Sequence, residues 1–247
     1  MLHFYRKVIT KGTMNIQDYF SKLNEESQSI FKKSIVANAQ LGQAHHFASC
    51  IYEFSEHIPD PLEKSMFVTV STQLESATLN LTLGMYRQAF ASLRLALELG
   101  LGATHFSVHK MELNEWLDGR ADIKWSSLVD EESGVLSKRF SDAFFKELSS
   151  DIAGYRNKAI STYRKLSEFV HGNNETWVKS GLKVSYNKDL FDAYFIHLTA
   201  VSEVIIFVVT CRYVRQLDAG AIESLQFIPE ELSHIPVIRE VFGGPKA

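Results

Sequence analysis

Proline is scarce in this chain. Five occur in 247 residues, and none lies between Pro61 and Pro229. Proline removes a backbone N–H and clashes with the preceding turn, so this gap leaves room for long uninterrupted helices. Cysteine is scarcer still: Cys50 and Cys211 stand far apart and form neither a Cys-x-x-Cys pair nor a zinc spacing. Both sit in apolar helical patterns and read as buried thiols of a reducing compartment. A basic excess is missing too, since 26 Lys and Arg face 29 Asp and Glu for a net charge of −3. Proteins that coat duplex nucleic acid carry such an excess, so any nucleic-acid contact here has to be local. The longest apolar run, Val204 to Thr210, follows Glu203 and is far short of the roughly 20 residues that span a bilayer. It reads as a buried helix. Residues 1–14 hold basic residues but no apolar signal region, and read as a leader or loosely ordered N-terminus. Walker, dinucleotide-binding and G-x-S-x-G motifs are absent. A cytoplasmic protein without a membrane partner is expected.

What is present points to an all-α fold. Hydrophobic residues make up 45% and charged residues 22%, ample for one large globular domain. Helical patterns run over about 15–37, 42–57, 61–84, 85–109, 136–148, 151–170 and 188–217. Asp60-Pro61-Leu62-Glu63 is a helix start, with Asp at the N-cap, Pro in the first turn and an acid behind it. Between 110 and 135, Trp116, Gly119, Trp125 and Gly134 weaken the pattern. This segment reads as an irregular insertion or lid. Partial alternation of Val178, Leu182, Val184 and Tyr186 leaves room for a short strand or hairpin at 176–187. Pro229, Pro236 and Pro245 break 219–247 into short helices. The expectation is a bundle of long antiparallel helices in one domain, 15–218, with a core from about 61 and a tail of short helices.

Two helices carry polar stripes. At about 100° per residue, Asn157, Ser167, Glu168 and His171 fall within roughly 60° of Arg164, whereas Tyr163, Leu166, Phe169 and Val170 fall on the packing side. His171-Gly172-Asn173-Asn174 ends that helix, and the helix dipole favours an imidazolium there. On the helix from 85, Arg87, Arg94, Glu98 and His105 lie within about 40° of one another. The remainder of that helix is mostly apolar, which normally means burial. Its polar stripe then either lines a pocket or forms a structural ion network, with Arg94 and Glu98 as an i,i+4 pair.

Other constellations are weaker. His105 and His109 have a spacing that can hold zinc, but no third ligand is evident along the sequence and the H-E-x-x-H order is absent. No metal and no cofactor are expected. His45 and His46 point to different faces. The aromatic residues sit mostly at helical spacing and read as core.

Arginine, four to six residues, then histidine near the end of a helix in an all-α domain resembles the signature of HEPN domains (higher eukaryotes and prokaryotes nucleotide-binding). Here the resemblance rests on Arg164 with His171, on Tyr163 to Gly172, and on Leu93-Arg94-Leu95-Ala96-Leu97-Glu98. Six residues is the long limit of that spacing, and Lys165 stands where the common motif has Asn, Asp or His. The resemblance implies a homodimeric, metal-independent endoribonuclease of a toxin–antitoxin or phage-defence system, with an RNA substrate and a possible partner protein. It implies Arg164 and His171 as catalytic residues. Asn157, Ser167, Glu168 and Asn173 would line the cleft, with Arg94 and Glu98 supporting it. Non-nuclease members exist, so the alternative is a non-catalytic module that uses the same cleft for a nucleotide, ligand or partner protein.

Overall fold

The structure, a computed structural model, describes residues 15–171 and 185–245. Among these residues it is all-α. The twelve helices are α1 (Ile16–Ser34), α2 (Asn38–Glu56), α3 (Pro61–Thr82), α4 (Tyr86–Phe106), α5 (Lys110–Leu117), α6 (Trp125–Leu128), α7 (Lys138–Phe144), α8 (Ile152–His171), α9 (Lys188–Tyr213), α10 (Ala219–Ser224), α11 (Phe227–Glu231) and α12 (Pro236–Val241). Local chemistry sets the boundaries. Asp60 accepts from the amides of Leu62 and Glu63, the cap that the sequence predicts, and Asn15 caps α1 by accepting from the Asp18 amide. Between α3 and α4 the chain reverses through Gly84 at φ +76°. A Cβ there would sit 2.8 Å from Ile30 Cδ1, so α1 closes over the turn only because the residue is glycine.

One boundary departs from expectation. α2 begins at Asn38, four residues before Gly42. Leu41 N–H already bonds the Ala37 carbonyl, and Gly42 faces open space, where a mid-helix glycine costs only about 1 kcal/mol. The strand or hairpin read at 176–187 lies outside the described residues except for 185–187. There Asn187 caps α9 by accepting from the Leu190 amide.

The core is built around α4, which packs against α3, α8 and α9. Gly100 to Ser107 is buried without interruption. Gly100 is the crossing point: a Cβ on it would lie 2.9 Å from Ile205 Cγ1 of α9. α9 is apolar around its circumference, and Val204 to Cys211 is fully enclosed. The helix with its final turn, Lys188–Gln216, is long and apolar enough by length and composition to cross a bilayer. The apolar run at 204–210 lies within it and is buried, as the sequence predicts. Of the helix's most apolar stretch, 72% is buried inside the bundle, which accounts for the composition. Both cysteines are free and buried, and burial pushes each thiol up to about 12.

The segment at 110–135 is tied to the core. Leu113, Leu128 and Val129 are buried, and Arg156 of α8 donates to the Val129 carbonyl at 2.8 Å. The tail is anchored as well, by buried Leu225, Ile228, Leu232 and Ile238. His234 also meets the Tyr155 hydroxyl at 3.0 Å.

Candidate active site between α4 and α8

α4 and α8 meet through a stack of Phe90 on Phe169, with ring centroids 3.8 Å apart. That contact brings the two polar stripes together at one edge. Arg94 Nη1 lies 3.0 Å from Nε2 of His171, and its Nη2 reaches Glu98 at 3.3 Å and the Tyr163 hydroxyl. Tyr163 in turn donates to Glu98 at 2.9 Å. Arginine has no acceptor, so the His171 contact is made by the Nε2 lone pair and places that ring's N–H on Nδ1. Arg94 and Glu98, expected in a supporting role, are at the centre of this hydrogen-bonded cluster. Arg94 and Glu98 keep only 18% and 24% of their side chains exposed, whereas His171 stands on the exposed rim.

The other predicted residues are spread along α8. Arg164 and Asn157 are exposed, and Arg164 makes no hydrogen bond or ion pair with a described residue. Arg164 and His171 are separated by about 10 Å of helix rise, so no single-chain contact joins them. Ser167 is half-buried and turned back onto the Tyr163 carbonyl at 2.7 Å. Glu168 is half-buried and pairs with Lys165 at 3.4 Å. Asn173 lies outside the described residues.

Two members of the cluster escaped the sequence reading. The helical wheel put Tyr163 on the packing side, yet it is only about 80° from His171, and a phenol is long enough to reach around. Its position on the border between the two faces was the available signal. Trp125 of α6 stacks on the Tyr163 ring at 3.8 Å and 7°, a contact across 38 positions that no local pattern encodes. Burial, and then the Glu98 carboxylate, hold the Tyr163 hydroxyl above the ordinary tyrosine range. It remains a donor at neutral pH. No family model, curated protein or solved structure matches the chain. The HEPN resemblance therefore stands on the residues alone.

Beside the cluster, His197 of α9 meets Phe90 and Phe169 edge-on. Burial, followed by the nearby Lys165 charge, lowers its pKa. Two to three turns farther along the same face of α4, His105 takes no part in this cluster: its Nε2 contacts Glu112 at 2.9 Å. The third donor not evident in the sequence is thus Glu112, on α5.

Proposed function

We propose that this chain is a metal-independent endoribonuclease of the bacterial toxin or phage-defence type, acting as a homodimer through the rim at His171. The observation that carries the reading is the 3.0 Å contact of Arg94 Nη1 with His171 Nε2, which sets a cation and an imidazole from two helices at one exposed edge. A phosphate is a stronger acceptor for guanidinium than an imidazole is, because both partners are charged. An RNA phosphate binding Arg94 would release the Nε2 lone pair. His171 then takes the proton of the ribose 2′-hydroxyl as that oxygen attacks phosphorus. The bond to the 5′-oxygen breaks and that oxygen takes a proton from solvent, leaving a 2′,3′-cyclic phosphate and a 5′-hydroxyl; the His171 imidazolium then returns its proton to solvent. Arg94 stabilises the extra negative charge of the transition state. Exposed Arg164, on the same helix face, is free to hold a neighbouring phosphate, and a dimer would bring two such faces into one cleft.

The test is RNA cleavage by purified protein in EDTA, with end-group analysis. His171→Ala and Arg94→Ala should each lower the rate by at least about 100-fold, in the range for loss of a general base or a charge-stabilising donor. Arg164→Ala should do likewise while leaving circular dichroism unchanged. Protein that cuts no RNA, or a His171→Ala variant that cuts at the parent rate, overturns the reading. Arg94 is already countered by Glu98 and Tyr163, which favours a second reading: a non-catalytic module whose polar rim binds a nucleotide, ligand or partner protein. Saturable nucleotide binding without cleavage, lost in Arg94→Ala, would select it.

A further inference from the structure

We infer that His105, His109 and Glu112 form a binding site for a divalent transition metal of the zinc class. The site lies at the α4–α5 corner and does not depend on the ribonuclease reading. His105 comes from the last turn of α4, His109 from the connection and Glu112 from the first turn of α5. One donor atom from each lies within 4.8 Å of the other two. Ligands about 2.0–2.1 Å from a tetrahedral zinc stand about 3.3 Å apart; the His105 and His109 rings stack at 3.9 Å and 12°, so one ring has to turn to aim its in-plane lone pair at the same ion. Glu112 is exposed and free to rotate toward it, and its Oε2 is already 2.9 Å from His105 Nε2.

Three features point to a cation here beyond the spacing. His109 Nδ1 is 3.0 Å from the His105 carbonyl. A carbonyl only accepts, so Nδ1 carries the hydrogen and Nε2 keeps a lone pair. An N–H bonded to a backbone carbonyl is the usual way in which a metal-ligating histidine is oriented. His105 is only 6% exposed, and its Nδ1 is buried with no hydrogen-bond partner. A buried imidazole with one nitrogen unserved is costly, and ligation through Nδ1 offsets that cost while Nε2 stays bonded to Glu112. Finally, His105 and Glu112 line a cleft of about 350 Å³ whose wall also carries Glu115, Asp122 and Lys124. With Glu112 included, three carboxylates face one ammonium, a balance that attracts a cation.

Two imidazoles and a carboxylate suit zinc, cobalt or nickel rather than calcium or magnesium, which take oxygen donors. Three protein ligands leave a fourth position for water or a donor from the cleft.

The experiment uses the full, untagged chain stripped with a chelator and dialysed. Zn²⁺ is titrated with metal analysis after desalting, and Co²⁺ is added in parallel to read its visible spectrum. One equivalent of bound Zn²⁺, intense tetrahedral Co²⁺ bands and a rise in Tm are expected. His109→Ala and Glu112→Gln should each weaken Zn²⁺ binding by at least about tenfold, as expected when one of few ligands is lost. Both residues are at least partly exposed, so these variants should fold. His45→Ala, at an exposed pair with Glu75, should bind as the parent does. Absence of stoichiometric Zn²⁺ at micromolar concentrations, or unchanged binding in both ligand variants, overturns the assignment.

Discussion

Tyr163 joins packing to chemistry in one side chain. Its ring stacks on Trp125 while its hydroxyl links Glu98 and Arg94. Tyr163→Phe keeps the stack and removes the links. It should lower stability by about 1 kcal/mol, the net worth of a typical hydrogen bond, and urea denaturation measures this directly. Glu63 is a second such residue. The sequence marks it as a first-turn acid, a role satisfied at any surface helix start, yet it is only 5% exposed. It accepts from Tyr213 at 2.8 Å and from Lys110 at 2.5 Å. Glu63→Gln keeps the shape but removes the charge opposite Lys110. Because Lys110 is half-exposed, the expected loss is about 1–2 kcal/mol. A urea midpoint equal to the parent's would show the pair to be neutral.

Among the elements, the α4–α9 crossing is the tightest test of the fold. Gly100→Ala puts a methyl group 2.9 Å from Ile205 and should cost about 1–3 kcal/mol by overpacking. Combined with Ile205→Ala, the loss should be smaller than the two single losses added together, because each change relieves the other. Additive losses would mean that the helices do not cross at this point. The helices themselves were legible because their signals are local: capping at Asp60, the proline gap, and the apolar faces of α4 and α9. Pairing between elements was not. Nothing near Arg94 announces Tyr163 or His171, which meet it across 69 and 77 positions. Glu112 was missed for a different reason. It lies seven positions from His105, about 10 Å along an unbroken helix, and meets it only because α4 ends between them and the chain turns.

Taken whole, the molecule holds many of its protons tightly on the alkaline side. Burial raises Cys50 and Cys211 from 9.0 to about 12 and lifts Tyr155, Tyr194 and Tyr213 above the ordinary tyrosine range. The unfolded chain loses these protons first. Stability is therefore fully present below about pH 9 and falls as pH climbs toward 12. His197 works in the opposite sense. Its folded pKa lies below the ordinary 6.5, so its contribution is present above that value and fades as pH drops. Thermal melts followed by circular dichroism should show a plateau from about pH 7 to 9 and a fall above it. A Tm unchanged up to pH 11 would contradict the burial of these groups.

The position of α9 in the chain has a consequence for synthesis. This helix supplies a large share of the buried core, yet it begins at Lys188 and is made only after α1 to α8. Until then the faces of α4 and α8 that it covers stay exposed to water. Translation proceeds at about 5–20 residues per second, so for several seconds the nascent chain displays an unsealed apolar groove. Over that interval the growing polypeptide is a natural client for chaperones. A variant ending before Lys188 should aggregate rather than fold as a smaller protein.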